Sequence, residues 1–355
     1  MTDDQRSPEE IHEDYLRGRL ASVRSDIGGL AGRLAFADEL ETVTEAHVAL
    51  RDLGAQITAG RARGFVYQSE LEFELQDAAA MADATLAAVR QEIEKDAALL
   101  RPRADELQHQ AFSPRLARGV PDEGQLDLLE QEYRAIDEAI DEAEKRVLAH
   151  ARPFTELVDQ LRQGVGRMTF TLDIFGNAGF TQQPDEAPLV ALLAKNRDAP
   201  GGEKEGVLFL SNQRLRFEAR EEKVLERKFL LFASKTETVK ALLVDEPVGN
   251  IAGTEVSKEG VIFKDEILTV RWGRGGKTSF ELLDGESAEA WSVVIGYLCS
   301  GEIEQTRIAS ASPNLAPLTF PEHCSHCGAP LPAPVKGQLI LTCTYCDREH
   351  AGIRP

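Results

Sequence analysis

The sequence predicts a multidomain α+β chain: a long antiparallel helical coiled coil, then a small antiparallel β-barrel or sandwich with a closing helix, then a cysteine-clamped ribbon. Three observations predict it. Apolar residues recur at alternating steps of three and four through the first half, short β-type runs follow at regular spacing, and two Cys-x-x-Cys pairs stand near the end.

A chain of 355 residues is long for one core, so two or three domains are expected. The boundaries read as 8–165 for the coiled coil, 166–187 for a connector, 188–303 for the strand-rich module, 304–321 for a linker and 322–350 for the ribbon. The formal charge of −20 is uneven, with 34 acids against 20 bases in residues 1–170. That acidity sets the N-terminal half against nucleic acid and anionic membranes. The start has neither the basic nor the apolar region of a secretory signal, and no run approaches the roughly 18 apolar residues that span a bilayer. A cytoplasmic location is the expectation.

Ser7-Pro8-Glu9-Glu10 is a helix-start signal: Ser7 caps, Pro8 fits the first turn and Glu10 closes a capping box. Three long helices are expected, with breaks near 60 and 115–121. The first carries Leu16, Leu20, Val23, Ile27, Leu30, Leu34 and Ala37, runs to about Thr58 and bends at Gly28, Gly29 and Gly32. The second carries Leu71, Leu75, Ala82, Leu86, Val89, Ile93, Ala97, Leu100 and Leu107, with a kink at Pro102. The third has the clearest seam: Leu126, Leu129, Tyr133, Ile136, Ile140, Ala143, Val147, His150, Phe154, Leu157 and Leu161. His150 is read as an interface residue without a function, and Asp137-Glu138 and Asp141-Glu142 as a solvated flank. The helices pair within one chain; a dimer through the third seam is the rival arrangement. Near Gly164 the heptads stop, and 168–175 alternates apolar and polar residues, which reads as a connector with one strand.

Strands are expected at 189–193, 207–210, 215–219, 229–233, 251–256, 261–263, 267–272 and 278–283, separated by Gly, Pro, Asn and Asp. The segment 287–302 starts at a Ser287 cap and sets Trp291, Val294, Ile295 and Leu298 on one face, as a helix closing a barrel would. Here the run Gly206-Val207-Leu208-Phe209-Leu210-Ser211-Asn212-Gln213-Arg214-Leu215-Arg216-Phe217 resembles the early hairpin of the bacterial PH-like and GRAM-like domain family. The resemblance covers about residues 185–303, and the helix carrying Trp291 fits it. It implies a module that binds phosphoinositides, peptides or proteins, with no catalytic residue to carry over. Arg214, Arg216 and Arg220 share one strand face, and Arg227, Lys228, Arg271, Arg274 and Lys277 are candidates to join them against lipid phosphates or an acidic protein segment. Glu218, Glu221, Glu222 and Glu226 are interleaved, so mutual neutralisation is the competing reading. Gly273-Arg274-Gly275-Gly276 lies between strands and reads as a hairpin turn. Cys299 stands alone and reads as a small packed residue.

Cys324-Ser-His-Cys327 and Cys343-Thr-Tyr-Cys346, with fifteen residues between them, have the spacing of a zinc ribbon holding one structural ion. Two residues between thiolates let one tight turn present both sulfurs, and Gly328 supplies the permissive backbone after the second. Four thiolates leave no open position for water, which argues against hydrolysis. His323, His326 and His350 read as surface or second-layer groups. The ribbon's few bases, Lys336, Arg348 and Arg354, favour a protein-facing or structural role over nucleic acid. The function expected is a non-enzymatic scaffold or adaptor with protein partners; its alternatives are a peripheral membrane protein binding anionic lipid and a nucleic-acid regulator acting through the ribbon.

Overall fold

The computed structural model describes residues 7–119, 122–183, 185–228, 232–260, 264–309 and 318–353. The helices are α1 (Pro8–Arg33), α2 (Ala37–Ala62), α3 (Glu70–Ala111), α4 (Pro114–Arg118), α5 (Glu123–Gly176) and α6 (Ala288–Ser300). Among the described residues no helix is long and apolar enough to cross a membrane. The chain divides into two compact units, one of Met1–Gly54 and Glu74–Arg162, the other of Ala55–Phe73 and Gln163–Pro355.

The first unit is a helical bundle. The capping box at Ser7 and Glu10 opens α1. Arg19 reaches Asp127 and Glu130, and Arg33 reaches Asp137, Asp141 and Glu144, so α1 runs in the same direction as α5. Arg146 meets Asp96, and Arg103 meets Glu132, so α3 runs opposite to α5.

Two features depart from the expectation here. The single helix reading to Thr58 is two helices, interrupted at 34–36. Leu34 and Phe36 are both about 1% exposed, and residues two apart on a continuous helix point to nearly opposite sides, so burying both takes a break. Phe36 supplies it with φ of 48°, while Gly28, Gly29 and Gly32 lie inside α1. His150 is exposed: the buried line on α5 runs Ala143, Val147, Ala151, Phe154, Val158, Leu161.

The second unit holds β1 (Pro188–Asn196), β2 (Lys204–Ser211), β3 (Arg214–Lys228), β4 (Phe232–Pro247), β5 (Ile251–Glu259), β6 (Asp265–Trp272) and β7 (Lys277–Leu282). They form one antiparallel sheet in the order β4-β3-β2-β1-β7-β6-β5. Among the described residues its end strands β4 and β5 do not pair, so the sheet is open where a barrel or sandwich was expected. The expected strand at 261–263 lies outside the described residues, as do the side chains of 229–233.

One sheet face packs Leu208, Leu210, Leu215, Phe217, Leu268, Val270 and Phe280 against Trp291, Ile295 and Leu298 of α6, which starts at the Ser287 cap. The opposite face packs Val207 and Phe209 against Phe175 and Phe180. Coverage on both sides is why β2 is apolar without alternation. The helix that covers the second face is the end of α5, so the connector reading of 168–175 is corrected to helix. Val165, Met168, Leu172 and Phe175 carry the buried line on. Gly164, read as a stop, is a close-packing point: a Cβ there would lie 2.7 Å from Leu71 Cδ2.

The chain stays packed past α6. Glu302–Thr306 forms a 3-10 turn that buries Ile303; Tyr67 donates to Glu304 (2.9 Å), the Ser69 N–H to the Thr306 carbonyl (2.8 Å) and the Ile308 N–H to the Val66 carbonyl (2.9 Å). The ribbon's own pairing begins at Thr319, which bridges Ile353, so both ends of the expected linker at 304–321 are engaged.

Candidate metal centre

The ribbon is built from two turns of the same design. In the first, the Gly328 N–H donates to the Cys324 carbonyl (2.9 Å), and the Cys324 N–H to the Ala329 carbonyl (2.8 Å). In the second, the Asp347 N–H donates to the Cys343 carbonyl (2.9 Å), and the Cys343 N–H to the Arg348 carbonyl (2.9 Å). Each turn reverses on a left-handed residue, Gly328 at φ 75° and Asp347 at φ 55°. Aspartate tolerates that conformation better than most side chains, and its place directly after Cys346 was the signal for the second turn. Strands β8 (Ile340–Thr342) and β9 (Glu349–Ala351) pair and flank the second turn, with Leu341 opposite His350.

These turns bring all four sulfurs within 4.8 Å of one another. Cys324 and Cys346 are 3.7 Å apart, and Cys327 and Cys343 3.6 Å. A disulfide needs about 2.05 Å, whereas thiolates about 2.3 Å from a tetrahedral zinc lie about 3.8 Å from each other. Cys324 and Cys343 are buried. The backbone N–H of Cys327 pushes the Cys324 thiol down to about 5, helped by the His326 N–H and by His350. The Arg348 N–H pulls Cys346 the same way, yet burial and the sulfurs of Cys327, Cys324 and Cys343 push it up to about 12. Four thiols this close cannot all ionise unaided, and a divalent cation in their midst removes the conflict. The donor set and its spacing fit a metal ion. His350, buried, sets Nε2 3.3 Å from Cys324 Sγ, the position from which a ring N–H steadies a ligating thiolate.

The arginines are arranged differently. Arg214, Arg216 and Arg220 lie on the β3 face away from the α6 core, and each already holds a carboxylate of this chain. Arg216 is 2% exposed; both terminal nitrogens engage Glu186, its Nε lies 2.9 Å from Asp245, and the Phe180 ring covers it at 4.4 Å. Arg214 pairs with Asp245 and donates to the Gly337 carbonyl (2.9 Å). Arg220 donates to Glu218 (2.9 Å). Arg274, in the β6–β7 turn, reaches Glu246 on β4, beside Asp245. Arg271 pairs with Glu255 (3.2 Å), and Lys277 is exposed at the start of β7. The side chains of Arg227 and Lys228 lie outside the described residues.

The turn joining β2 to β3, which carries the family-like motif, holds itself together: Ser211 Oγ accepts from the Arg214 N–H (2.9 Å) and donates to Glu186 (2.7 Å), and Asn212 accepts from the Ala187 N–H (2.8 Å). Glu186 and Phe180 were not singled out from the sequence, where a lone acid and a lone aromatic in a polar stretch carry no pattern.

No family model and no curated protein matches this chain. Among solved structures there is a weak likeness to the DH/PH domains of p115-RhoGEF (TM-score 0.23, 13% identity, 84% of this chain and 98% of that one). The DH/PH fragment of PDZ-RhoGEF, solved in complex with human RhoA, gives TM-score 0.25 and 11% identity over 80% of this chain and 94% of that one. The C-terminal domain of an unknown protein from Leishmania infantum gives TM-score 0.21 and 18% identity over 38% of this chain and 96% of that one. Scores of this size fall short of a shared fold.

Proposed function

We propose that this chain is a non-enzymatic, cytoplasmic scaffold or adaptor. Its N-terminal helices act as an antiparallel coiled-coil spacer, its PH-like sheet module and its ribbon contact protein partners, and one structural zinc holds the ribbon. The observation that carries the reading is the sulfur cluster: four cysteine sulfurs within 4.8 Å of one another would fill every position of a tetrahedral zinc and leave none for substrate or water. Two further observations support it. Tyr345, between two of the ligands, is 72% exposed, a side-chain type that anchors protein contacts, and the apolar Ile340 and Ile353 are exposed on the same small ribbon. The internal pairing of Arg214, Arg216 and Arg220 weighs against lipid binding through them.

Elemental analysis of the purified full-length chain under reducing conditions is expected to give one zinc per chain, and close to none in Cys343→Ser. A chain without zinc ends the metal reading. Affinity capture from the source cells, run in parallel with wild type and Tyr345→Ala, tests the docking role. A protein retained by wild type and lost from the variant supports it, and identical captures remove the ribbon as a docking surface.

A further inference from the structure

Among the described residues, segment 335–337 of the ribbon meets the sheet at a joint where two glycines allow close approach. The Gly249 N–H, in the turn between β4 and β5, donates to the Lys336 carbonyl (3.0 Å), and Arg214 Nη1 donates to the Gly337 carbonyl (2.9 Å). A Cβ on Gly249 would lie 2.5 Å from the Lys336 nitrogen and 2.6 Å from Val335 Cβ, and one on Gly337 would lie 2.0 Å from the Gln213 carbonyl oxygen. The Gln213 carbonyl in turn accepts from the Val248 N–H (2.8 Å). Segment 335–337 thus lies against both the β2–β3 turn and the 248–250 turn, at the end of the β3–β4 ladder where Arg214 pairs with Pro247.

On the ribbon side, the Gln338 N–H donates to the Val335 carbonyl (3.1 Å) and its side chain accepts from the Val335 N–H (3.0 Å). This closed turn leads straight into β8 and Cys343. The position of the Lys336 and Gly337 carbonyls is therefore set by the same short stretch that carries the second pair of ligands. A small ribbon without a core of its own depends on its metal for a fixed shape.

Resting on the zinc reading above, we infer that metal occupancy is coupled to the stability of the sheet: the ribbon is a zinc-dependent latch that closes over the shared end of β3 and β4 through Lys336, Gly337, Gly249 and Arg214. Free energy of metal binding reaches the sheet through that joint.

The chain supplies its own reporter. Its two tryptophans, Trp272 and Trp291, both belong to the sheet core and its α6 cover, and none lies in the ribbon. Tryptophan fluorescence during heating of the full-length protein therefore reads the sheet. Stripping zinc from wild type with a strong chelator, under reducing conditions, is expected to lower that midpoint by roughly 4 to 8 °C, the equivalent of two net hydrogen bonds. At Gly249, whose backbone is not in the left-handed region, the three atoms nearest an added Cβ all belong to the ribbon, so Gly249→Val obstructs the ribbon first. It is expected to keep one zinc per chain, to melt near the stripped wild type and to lose the response to chelator. An unchanged wild-type midpoint after measured loss of zinc overturns the latch while leaving the metal site standing. So does a Gly249→Val protein that responds to chelator as wild type does. A chain that never takes up zinc removes both readings together.

Discussion

Arg216 keeps its guanidinium inside the protein because Glu186 and Asp245 meet it there. Removing one member of a buried pair leaves an uncompensated charge, so Glu186→Ala is expected to cost about 3–5 kcal/mol in urea denaturation, while a paired apolar replacement of Glu186 and Arg216 restores much of it. Tyr67 gives a pH signature. Burial, and then its bond to Glu304, push its phenol up to about 12, above the unfolded value of about 10. Folding therefore favours the neutral phenol: its contribution is complete below about pH 10 and is lost as the pH climbs toward 12. Urea midpoints measured across that window should fall more steeply for wild type than for Tyr67→Phe. At this scale the sequence was legible where chemistry dictates spacing, as with Cys324, Cys327, Cys343, Cys346 and Gly328. It was silent on Glu186, whose role exists only because the chain before β1 folds back over β3.

Helix α5 shows what periodicity conveys and where it slips. A strict 3.5-residue repeat puts His150 and Leu157 in the seam; the buried line instead takes two steps of four, from Ala143 through Val147 to Ala151. An α-helix of 3.6 residues per turn drifts about 20° per heptad against that repeat, so after three heptads from Leu126 the stripe moves by more than half a residue and Ala151 replaces His150. The slip is the mark of a helix following its own twist. Two element-level substitutions follow from the sheet and its cover. Ser287→Ala removes the side chain that accepts from the Ala290 N–H and is expected to cost about 1 kcal/mol. At Gly206 a Cβ would lie 2.1 Å from the Glu218 carbonyl oxygen, so Gly206→Val should force β2 and β3 apart and cost about 1–3 kcal/mol or more; both are read by urea titration of tryptophan fluorescence. The glycine that opens the family-like motif is thus a requirement of strand spacing.

For the whole chain, cutting the sequence near residue 165 into helices and then sheet follows composition, but the compact units do not respect chain order. Residues 55–73 join the unit of the sheet and ribbon, and Tyr67 is fully buried in the sheet's core cluster. Nothing in the local sequence of that loop announces a partner so remote. Tyr67→Ala is accordingly expected to destabilise the sheet by about 3–5 kcal/mol, the range for a large aromatic truncated in a core, seen as an earlier transition of Trp272 and Trp291 fluorescence. The bond from Tyr67 to Glu304 joins residues 237 positions apart. At a synthesis rate of about 5–20 residues per second, Tyr67 leaves the ribosome roughly 10 to 50 seconds before the residue that satisfies it. During that interval the Tyr67 phenol is without its acceptor, and the loop that carries it waits for the core in which it will be buried.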